Sequence, residues 1–130
     1  MCKAPRSSRE EVRLKPNVDL VIDCEDPERL ADFWAQALGY DKVGFLEPYF
    51  LLRPQELAYP PLLLQRVPEP KQVKNRMHLD IRTDDVEGLA ARLEVLGAER
   101  LGDRTEHGTH WITMSDPEGN EFCVCPGVSV

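Results

Sequence analysis

Two short segments of this sequence place side chains that can move protons or bind a metal at every second position. The first contains His78 and Asp80, and the second contains Glu121, Cys123 and Cys125. Because alternate residues of a β-strand point to the same face of a sheet, each set lines one face if both segments are strands. Imidazole and carboxylate groups are common general acids and bases, so His78 and Glu121 are the candidate catalytic residues.

The same residues include part of a zinc-binding set. Cys123 and Cys125 form a Cys-X-Cys pair, which with His78 supplies three zinc ligands. Structural zinc normally takes four ligands, and Asp19 is the only further ligand that the pattern offers. We therefore interpret both cysteines as buried, unreactive thiols and assign no residue as a metal ligand.

Each candidate also has an ordinary structural explanation. His78 is equally consistent with a strand histidine that only hydrogen-bonds a neighbouring group, and Glu121 with a solvated charge beside a turn. Strand parity places Trp111 on the open face of its sheet, where its ring either forms an aromatic wall for a ligand or simply packs. His107 and His110 flank a predicted hairpin loop, where exposure explains them, and neither is assigned a role.

The elements that must position these residues occur twice in the chain. Residues 22–31 and 81–90 align at an offset of 59 residues, and a Leu-Gly pair follows each copy. Solenoids need at least three such units for stability, so two copies of about 60 residues predict two modules that share one core.

Both copies predict the same order of elements, which gives an α+β fold of two tandem βαβββ modules. In the first, alternating apolar and polar residues indicate a strand at 17–24, and Asp26-Pro27 begins a helix that ends at Gly39. The remaining predicted strands are at 40–46, 49–53 and 61–67. The second module repeats this pattern with a strand at 77–82, a helix at 86–97, strands at 99–105, 109–115 and 121–125, and a tight turn at 116–120.

Composition limits the class of protein. The chain has 130 residues, 42% of them hydrophobic and 30% charged, which is typical of one soluble globular domain. A net charge of −7 disfavours nucleic acid as a partner, because a phosphate backbone would be repelled. No apolar run approaches the roughly 20 residues that a membrane span needs, so we expect no membrane partner.

The two ends of the chain differ in charge. Residues 1–17 carry five basic and two acidic side chains, and they lack the apolar core of a secretion signal. We expect a flexible basic N-terminal arm at 1–16, then a single domain at 17–127 with modules at about 17–67 and 77–127. Four cysteines in a chain of this size do not require a disulfide framework, so we expect reduced thiols and a cytoplasmic location.

Several features together resemble one known superfamily. They are the tandem βαβββ modules, the helix motif Asp26-Pro27, Phe33-Trp34 and Leu38-Gly39, the segment Met77-His78-Leu79-Asp80, and the segment Asp116-Pro117-Glu118-Gly119-Asn120-Glu121-Phe122. This combination resembles the vicinal oxygen chelate superfamily of glyoxalases, bleomycin resistance proteins and dioxygenases, and in particular its glyoxalase-like domain branch. The resemblance implies a curved mixed sheet that forms a cup with helices outside. In many members a divalent metal on the cup floor chelates adjacent substrate oxygens.

The resemblance also implies four positions around that floor, which are Asp19, Gln65, His78 and Cys123 in this sequence. Only His78 is the usual residue, since metal-dependent members typically carry a glutamate where Cys123 stands. A soft thiol does not replace a hard oxygen ligand for Mg²⁺, Mn²⁺ or Fe²⁺, so we expect no cofactor of this kind. If a divalent metal binds, zinc held by Cys123, His78 and Asp19 suits the residues best.

These observations lead to three functional hypotheses. In the first, a small, partly apolar molecule binds in the cup through Asp19, Gln65, Trp111 and Cys123, with lyase or isomerase chemistry at His78 and Glu121; enzyme status stays open. In the second, the protein sequesters a small molecule without catalysis, as bleomycin resistance proteins do. In the third, side chains fill the cup of a structural subunit. The resemblance and the uncovered strand edges also predict a homodimer.

Overall fold

The computed structural model describes residues 18–56 and 58–127. The basic arm predicted at 1–16 lies outside the described residues. In chain order the elements are β1 (Leu20–Cys24), α1 (Pro27–Leu38), β2 (Asp41–Leu46), β3 (Tyr49–Arg53), β4 (Leu62–Arg66), β5 (Leu79–Thr83), α2 (Val86–Val95), β6 (Glu99–Glu106), β7 (Thr109–Ser115) and β8 (Glu121–Pro126). This order confirms the predicted α+β fold of two βαβββ modules.

Each module forms a four-stranded mixed sheet. The strand orders are β1-β4-β3-β2 and β5-β8-β7-β6, with the pairs β1–β4 and β5–β8 parallel and the other pairs antiparallel. Both outer hairpins contain a register shift, between Lys42 and Gly44 in the first sheet and between Arg100 and Gly102 in the second. The repeat seen in the sequence therefore extends to strand pairing.

Local sequence signals determine where the helices begin and end. The Asp26 side chain accepts a hydrogen bond from the backbone N–H of Arg29, and Pro27 occupies the first turn of α1. The helix stops at Gly39, whose φ of 70° is a left-handed conformation that favours glycine. Asp85 caps α2 in the same way. Neither helix is long and apolar enough to cross a membrane, and this holds throughout the described residues.

One hydrophobic core joins the two modules. Leu30, Leu52 and Leu64 are fully buried in the first module, as are the apolar residues of β7 and β8 that face α2. The Trp34 ring on α1 lies 5.2 Å from the Phe122 ring on β8, measured between centroids. Helix α1 therefore packs against its own sheet and also against the start of β8 in the second module.

The turn at 116–120 fastens the second module to the start of α1. The buried Asp116 carboxylate accepts a hydrogen bond of 2.9 Å from Trp34 Nε1. The Glu118 carboxylate accepts hydrogen bonds of 2.8 and 2.9 Å from the backbone N–H groups of Glu25 and Asp26. The segment that the sequence predicts only as a tight turn is thus also the main polar contact between modules.

Candidate functional site

The second module has a polar open face on the side of its sheet away from α2. Ile112 on β7 and Val124 on β8 are fully buried toward the helix, so the alternate residues of both strands point the other way. Trp111 and Cys123 lie on this open face and are partly buried. On β5, Asp80 is paired in register with Cys123, which places its side chain on the same face.

Three donor groups converge on this open face. Ligand atoms of His78, Asp80 and Cys123 all lie within 4.8 Å of one another. His78 Nε2 is 3.1 Å from Asp80 Oδ1, and the two side chains are 51% and 44% exposed. Cys123 Sγ lies 3.7 Å from the Thr113 hydroxyl oxygen on β7. An imidazole, a carboxylate and a thiol therefore meet in a site that is open to a fourth group.

The surroundings of the two thiols on this face raise their pKa values. Burial is the main cause that raises the pKa of Cys123, and the Asp80 charge adds to it, while the Thr113 hydroxyl opposes it. The pKa of Cys125 is raised by burial and then by Asp80. Because the thiolate is the nucleophilic form of cysteine, neither residue is suited to nucleophilic attack at neutral pH.

Asp19 and Gln65 lie on the first module. Asp19 is exposed and immediately precedes β1, as His78 immediately precedes β5. Gln65 is partly buried on β4. Among the described residues, neither belongs to the group formed by His78, Asp80 and Cys123. The carboxylate that approaches His78 and Cys123 within one chain is therefore Asp80 rather than Asp19.

Strand register shows that Gln65 in the first module corresponds to Cys125, and not to Cys123, in the second module. Asp23 pairs with Gln65 in the first sheet, and Arg82 pairs with Cys125 in the second. Since Asp23 and Arg82 match at the 59-residue offset, Gln65 corresponds to Cys125. The residue that corresponds to Cys123 is Leu63, an apolar side chain that offers no metal ligand.

A cleft of about 790 Å³ runs between β1 and the first residues of β5 and β8. Its walls include the predicted site residues Asp19, His78 and Glu121, whereas Gln65, Trp111 and Cys123 are not among its lining residues. Apolar side chains form much of the remaining surface, and they include Leu20, Ile22, Trp34, Leu62, Met77 and Leu79. The cleft thus combines an apolar interior with a few polar groups.

Acidic groups dominate the charge around the cleft. The lining carboxylates are Asp19, Asp23, Glu69, Glu118 and Glu121, against the basic side chains Lys71 and Arg76. Glu121 Oε1 is buried and lies 3.2 Å from Lys74 Nζ, at an angle outside hydrogen-bond geometry. Glu118 is already engaged by backbone N–H groups. Asp19 and Asp23 are exposed and give the β1 side of the cleft its negative charge.

Two residues, Asp80 and Trp34, have roles in this region that the sequence did not predict. The alternation of side chains along a strand places Asp80 on the same face as His78. Its position beside Cys123 depends on the pairing of β5 with β8, which the sequence does not show. Trp34 was interpreted only as core, yet it also lines the cleft. No periodic signal identifies that second role, because it depends on how the two modules pack.

A protein-family model matches most of this chain. Residues 19–125 match the model of the glyoxalase-like domain family. The chain belongs to this family. The matched range covers both modules, so the glyoxalase-like domain comprises the two sheets and the cleft between them. A search of the curated proteins found no match to this sequence.

Solved structures of other proteins share the fold. An antibiotic binding protein, TnmS3 from Streptomyces sp. CB03234, is 22% identical with a TM-score of 0.62, over 88% of this chain and 99% of that one. A glyoxalase/bleomycin resistance protein/dioxygenase family enzyme from Burkholderia phytofirmans PsJN is 16% identical with a TM-score of 0.69, over 85% of this chain and 100% of that one.

A third similar structure contains a metal. It is a variant of the fosfomycin resistance protein FosX from Listeria monocytogenes, complexed with Mn(II) and a dihydroxypropylphosphonic acid. The identity is 12% and the TM-score 0.72, over 88% of this chain and 92% of that one. Mn(II) prefers oxygen and nitrogen ligands, and a thiol in the converging group of the present chain does not suit it. The donor set of His78, Asp80 and Cys123 therefore does not fit a manganese cofactor.

Proposed function

We propose that this glyoxalase-like domain binds a small, partly apolar molecule in the cleft between β1 and the starts of β5 and β8. The observation that carries the proposal is the volume of this cleft, about 790 Å³, together with its apolar walls and few polar groups. Small-molecule sites typically have volumes of roughly 300 to 1,000 Å³ and a lining of this kind. The descriptions of TnmS3 as an antibiotic binding protein and of FosX as a fosfomycin resistance protein support a small molecule as the ligand.

The charge of the cleft narrows the class of ligand. Asp19 and Asp23 on β1 favour a ligand whose polar end donates hydrogen bonds or is positively charged. The apolar body of such a ligand would contact Leu20, Ile22 and Leu79. Gln65, Trp111 and Cys123 lie outside the cleft, so in this proposal they contact the ligand only if a second subunit closes the open sheet faces.

Two candidate activities follow for the bound molecule. In lyase or isomerase chemistry, His78 and Glu121 would give and take a proton, because both line the cleft and both side-chain types act as acids and bases. Sequestration without catalysis is the second candidate, and the pairing of these groups favours it. His78 contacts Asp80 at 3.1 Å, and Glu121 forms an ion pair of 3.2 Å with Lys74, so each already has a charged neighbour.

Binding of the neutral fluorophore N-phenyl-1-naphthylamine tests the cleft. Its emission should rise on saturable binding to one site, with energy transfer from Trp34 in the cleft wall. Met77 and Val73 provide a matched pair of variants, since they are 77% and 78% exposed but only Met77 lines the cleft. Met77→Glu should weaken binding about tenfold or more by placing a charge against the apolar probe, whereas Val73→Glu should not. Equal affinities for the two variants would contradict the proposed site.

The fate of a bound compound separates the two activities. Once a ligand is identified, mass spectrometry of the compound recovered after incubation should show it unchanged if the protein only sequesters it. A change in mass or in isomer composition that is lost in both His78→Ala and Glu121→Gln would support catalysis. Binding that persists in these variants while turnover stops would assign the residues to chemistry rather than to affinity.

We also propose that the protein is a cytoplasmic homodimer. Support comes from the exposed apolar side chains on the open face of the first sheet, which include Val21 and Tyr49, and from the edge strands of both sheets. The free thiols of Cys24, Cys123 and Cys125 suit a reducing compartment. Light scattering should give twice the chain mass of 14.8 kDa at micromolar concentration, and a species of 14.8 kDa would contradict the dimer.

A further inference from the structure

We propose that His78, Asp80 and Cys123 form a zinc site whose preference for zinc over manganese is set by the Cys123 sulfur. The site lies on the open face of the second sheet. The zinc proposal does not depend on the ligand proposed for the cleft, because its test measures the binding of metal ions alone. The carboxylate of the site is Asp80, which the expected ligand positions did not include.

The geometry of the three residues is close to what a tetrahedral ion requires. With bonds of about 2.0 Å to nitrogen and oxygen, two ligands of a tetrahedral zinc lie about 3.3 Å apart. His78 Nε2 and Asp80 Oδ1 are already 3.1 Å apart. The Cys123 ligand atom lies within 4.8 Å of both, so a side-chain adjustment of about 1 Å completes the arrangement.

The backbone positions the three residues on and beside two paired strands. His78 immediately precedes β5 and Asp80 is the second residue of that strand, and their contact of 3.1 Å places both side chains on the same face. Asp80 is directly paired with Cys123 on the neighbouring parallel strand β8. The Thr113 hydroxyl on β7 contacts Cys123 Sγ at 3.7 Å and orients the sulfur from the other side.

The chemistry of the donor atoms selects the metal. A thiolate binds borderline and soft ions such as Zn²⁺, whereas Mn²⁺ and Mg²⁺ prefer hard oxygen ligands. One sulfur, one nitrogen and one oxygen therefore favour zinc. The half-exposed His78 and Asp80 leave a fourth position open, which is the pattern of zinc sites that also bind water or another small ligand.

Cobalt substitution tests the site by a readout that does not depend on activity. Co²⁺ bound to a thiolate produces an intense sulfur-to-metal charge-transfer band in the near ultraviolet, and a four-coordinate site gives strong visible bands. We expect both in the protein, at one ion per chain, with displacement by Zn²⁺ but not by equimolar Mn²⁺. Absence of the charge-transfer band, or displacement of Co²⁺ by Mn²⁺ as readily as by Zn²⁺, would overturn the proposal.

Matched cysteine variants identify the sulfur. Cys123→Ser should abolish the charge-transfer band and weaken zinc binding about tenfold or more. Cys125→Ser changes the same strand two residues further on, outside the converging group, and should leave the band unchanged. The measurements use a Cys2→Ser background, because Cys2 lies outside the described residues. A band that disappears in Cys125→Ser but persists in Cys123→Ser would refute the assignment.

Two further variants control for misfolding and for metal binding at another group of residues. His78→Ala alters a half-exposed side chain and should lose the visible bands with unchanged circular dichroism, even if Cys123→Ser folds poorly. Glu87, Asp103 and His110 form a second converging group elsewhere on the module. His110→Ala should leave the cobalt spectrum unchanged, and loss of the spectrum in this variant would place the ion at the second group and overturn the proposal.

Discussion

The junction between the modules depends on one buried carboxylate, and replacing Asp116 with asparagine tests that dependence. Asp116 Oδ1 accepts hydrogen bonds of 2.9 Å from the backbone N–H groups of Glu118 and Asn120. Asp116 Oδ2 accepts hydrogen bonds of 2.9 Å from Trp34 Nε1 and Asn120 Nδ2. All four partners are donors, so the amide of an asparagine must face two donors whichever way it turns, and two hydrogen bonds are lost.

The structure allows an estimate of the stability that Asp116→Asn should lose. A hydrogen bond to a charged group contributes roughly 1.5 to 3 kcal/mol, so the loss of two amounts to about 3 to 6 kcal/mol. Relief from burying a charge offsets part of this, because desolvation raises the pKa of the Asp116 carboxyl. We expect a net loss of about 3 kcal/mol in the free energy of unfolding. That is a large share of the roughly 5 to 15 kcal/mol typical of a domain.

Urea unfolding followed by circular dichroism measures this loss, and a double-mutant cycle assigns it to the module junction. Trp34→Phe removes one donor and should lower stability by about 3 kcal/mol through the hydrogen bond and the smaller ring. The coupling between the two changes should be about 1.5 to 3 kcal/mol.

Arg29→Ala is the control, since this exposed side chain makes only a 3.4 Å contact with the Pro117 carbonyl at the same junction. Its effect should stay below about 0.5 kcal/mol. A loss below about 1 kcal/mol for Asp116→Asn, or a coupling near zero, would refute the reasoning. Both single changes at the junction should also weaken binding of the fluorescent probe, because Trp34 and Asn120 line the cleft.

Three further predictions concern stability, backbone conformation and thiol reactivity. Because burial raises the pKa of Asp116 above its unfolded value, the folded state holds the proton more tightly, and this proton-linked part of the stability is complete below the unfolded pKa and is lost as pH rises through the folded pKa. The hydrogen bonds of the ionised carboxylate remain above that pH. Urea midpoints of Asp116→Asn should lack that fall. Gly39→Ala, at φ 70°, should cost about 1 to 2 kcal/mol, whereas Gly44→Ala, with open space and no left-handed φ, should cost less than about 1 kcal/mol in the same titration. Burial raises the pKa of Cys24 to about 12, so iodoacetamide at pH 8 should label it only after unfolding, as mass spectrometry would show.

The order and type of the elements could be read from the sequence because each local signal agrees with its neighbours. The predicted helix from Asp26 to Gly39 has the observed caps, since capping chemistry is local. The first strand of each module starts later than predicted, at Leu20 rather than residue 17 and at Leu79 rather than residue 77. Ladder pairing explains this, because Leu20 and Leu79 are the first residues of their strands to have partners, which are Leu62 and Phe122.

The site was only partly predictable, because strand parity fixes the face of a side chain but not its partner on another strand. Parity placed His78, Cys123 and Trp111 on open sheet faces. Which carboxylate completes the group with His78 and Cys123 depends on register, and register pairs Asp80 with Cys123. The relation between the two sheets depends on side-chain packing of Trp34 against Phe122, which no periodicity encodes.

The segment from Asp116 to Phe122 carried much of the family resemblance, and the structure shows why that resemblance predicts fold better than chemistry. Asp116, Glu118 and Asn120 use their side chains to shape the turn and to hold the start of α1. These contacts join parts of the chain to one another and involve no ligand. Cys123 follows directly on β8 but points to the open face, and it takes no part in the hydrogen bonds of the junction. A thiol can therefore occupy this position while the motif beside it and the fold that the motif stabilises stay the same.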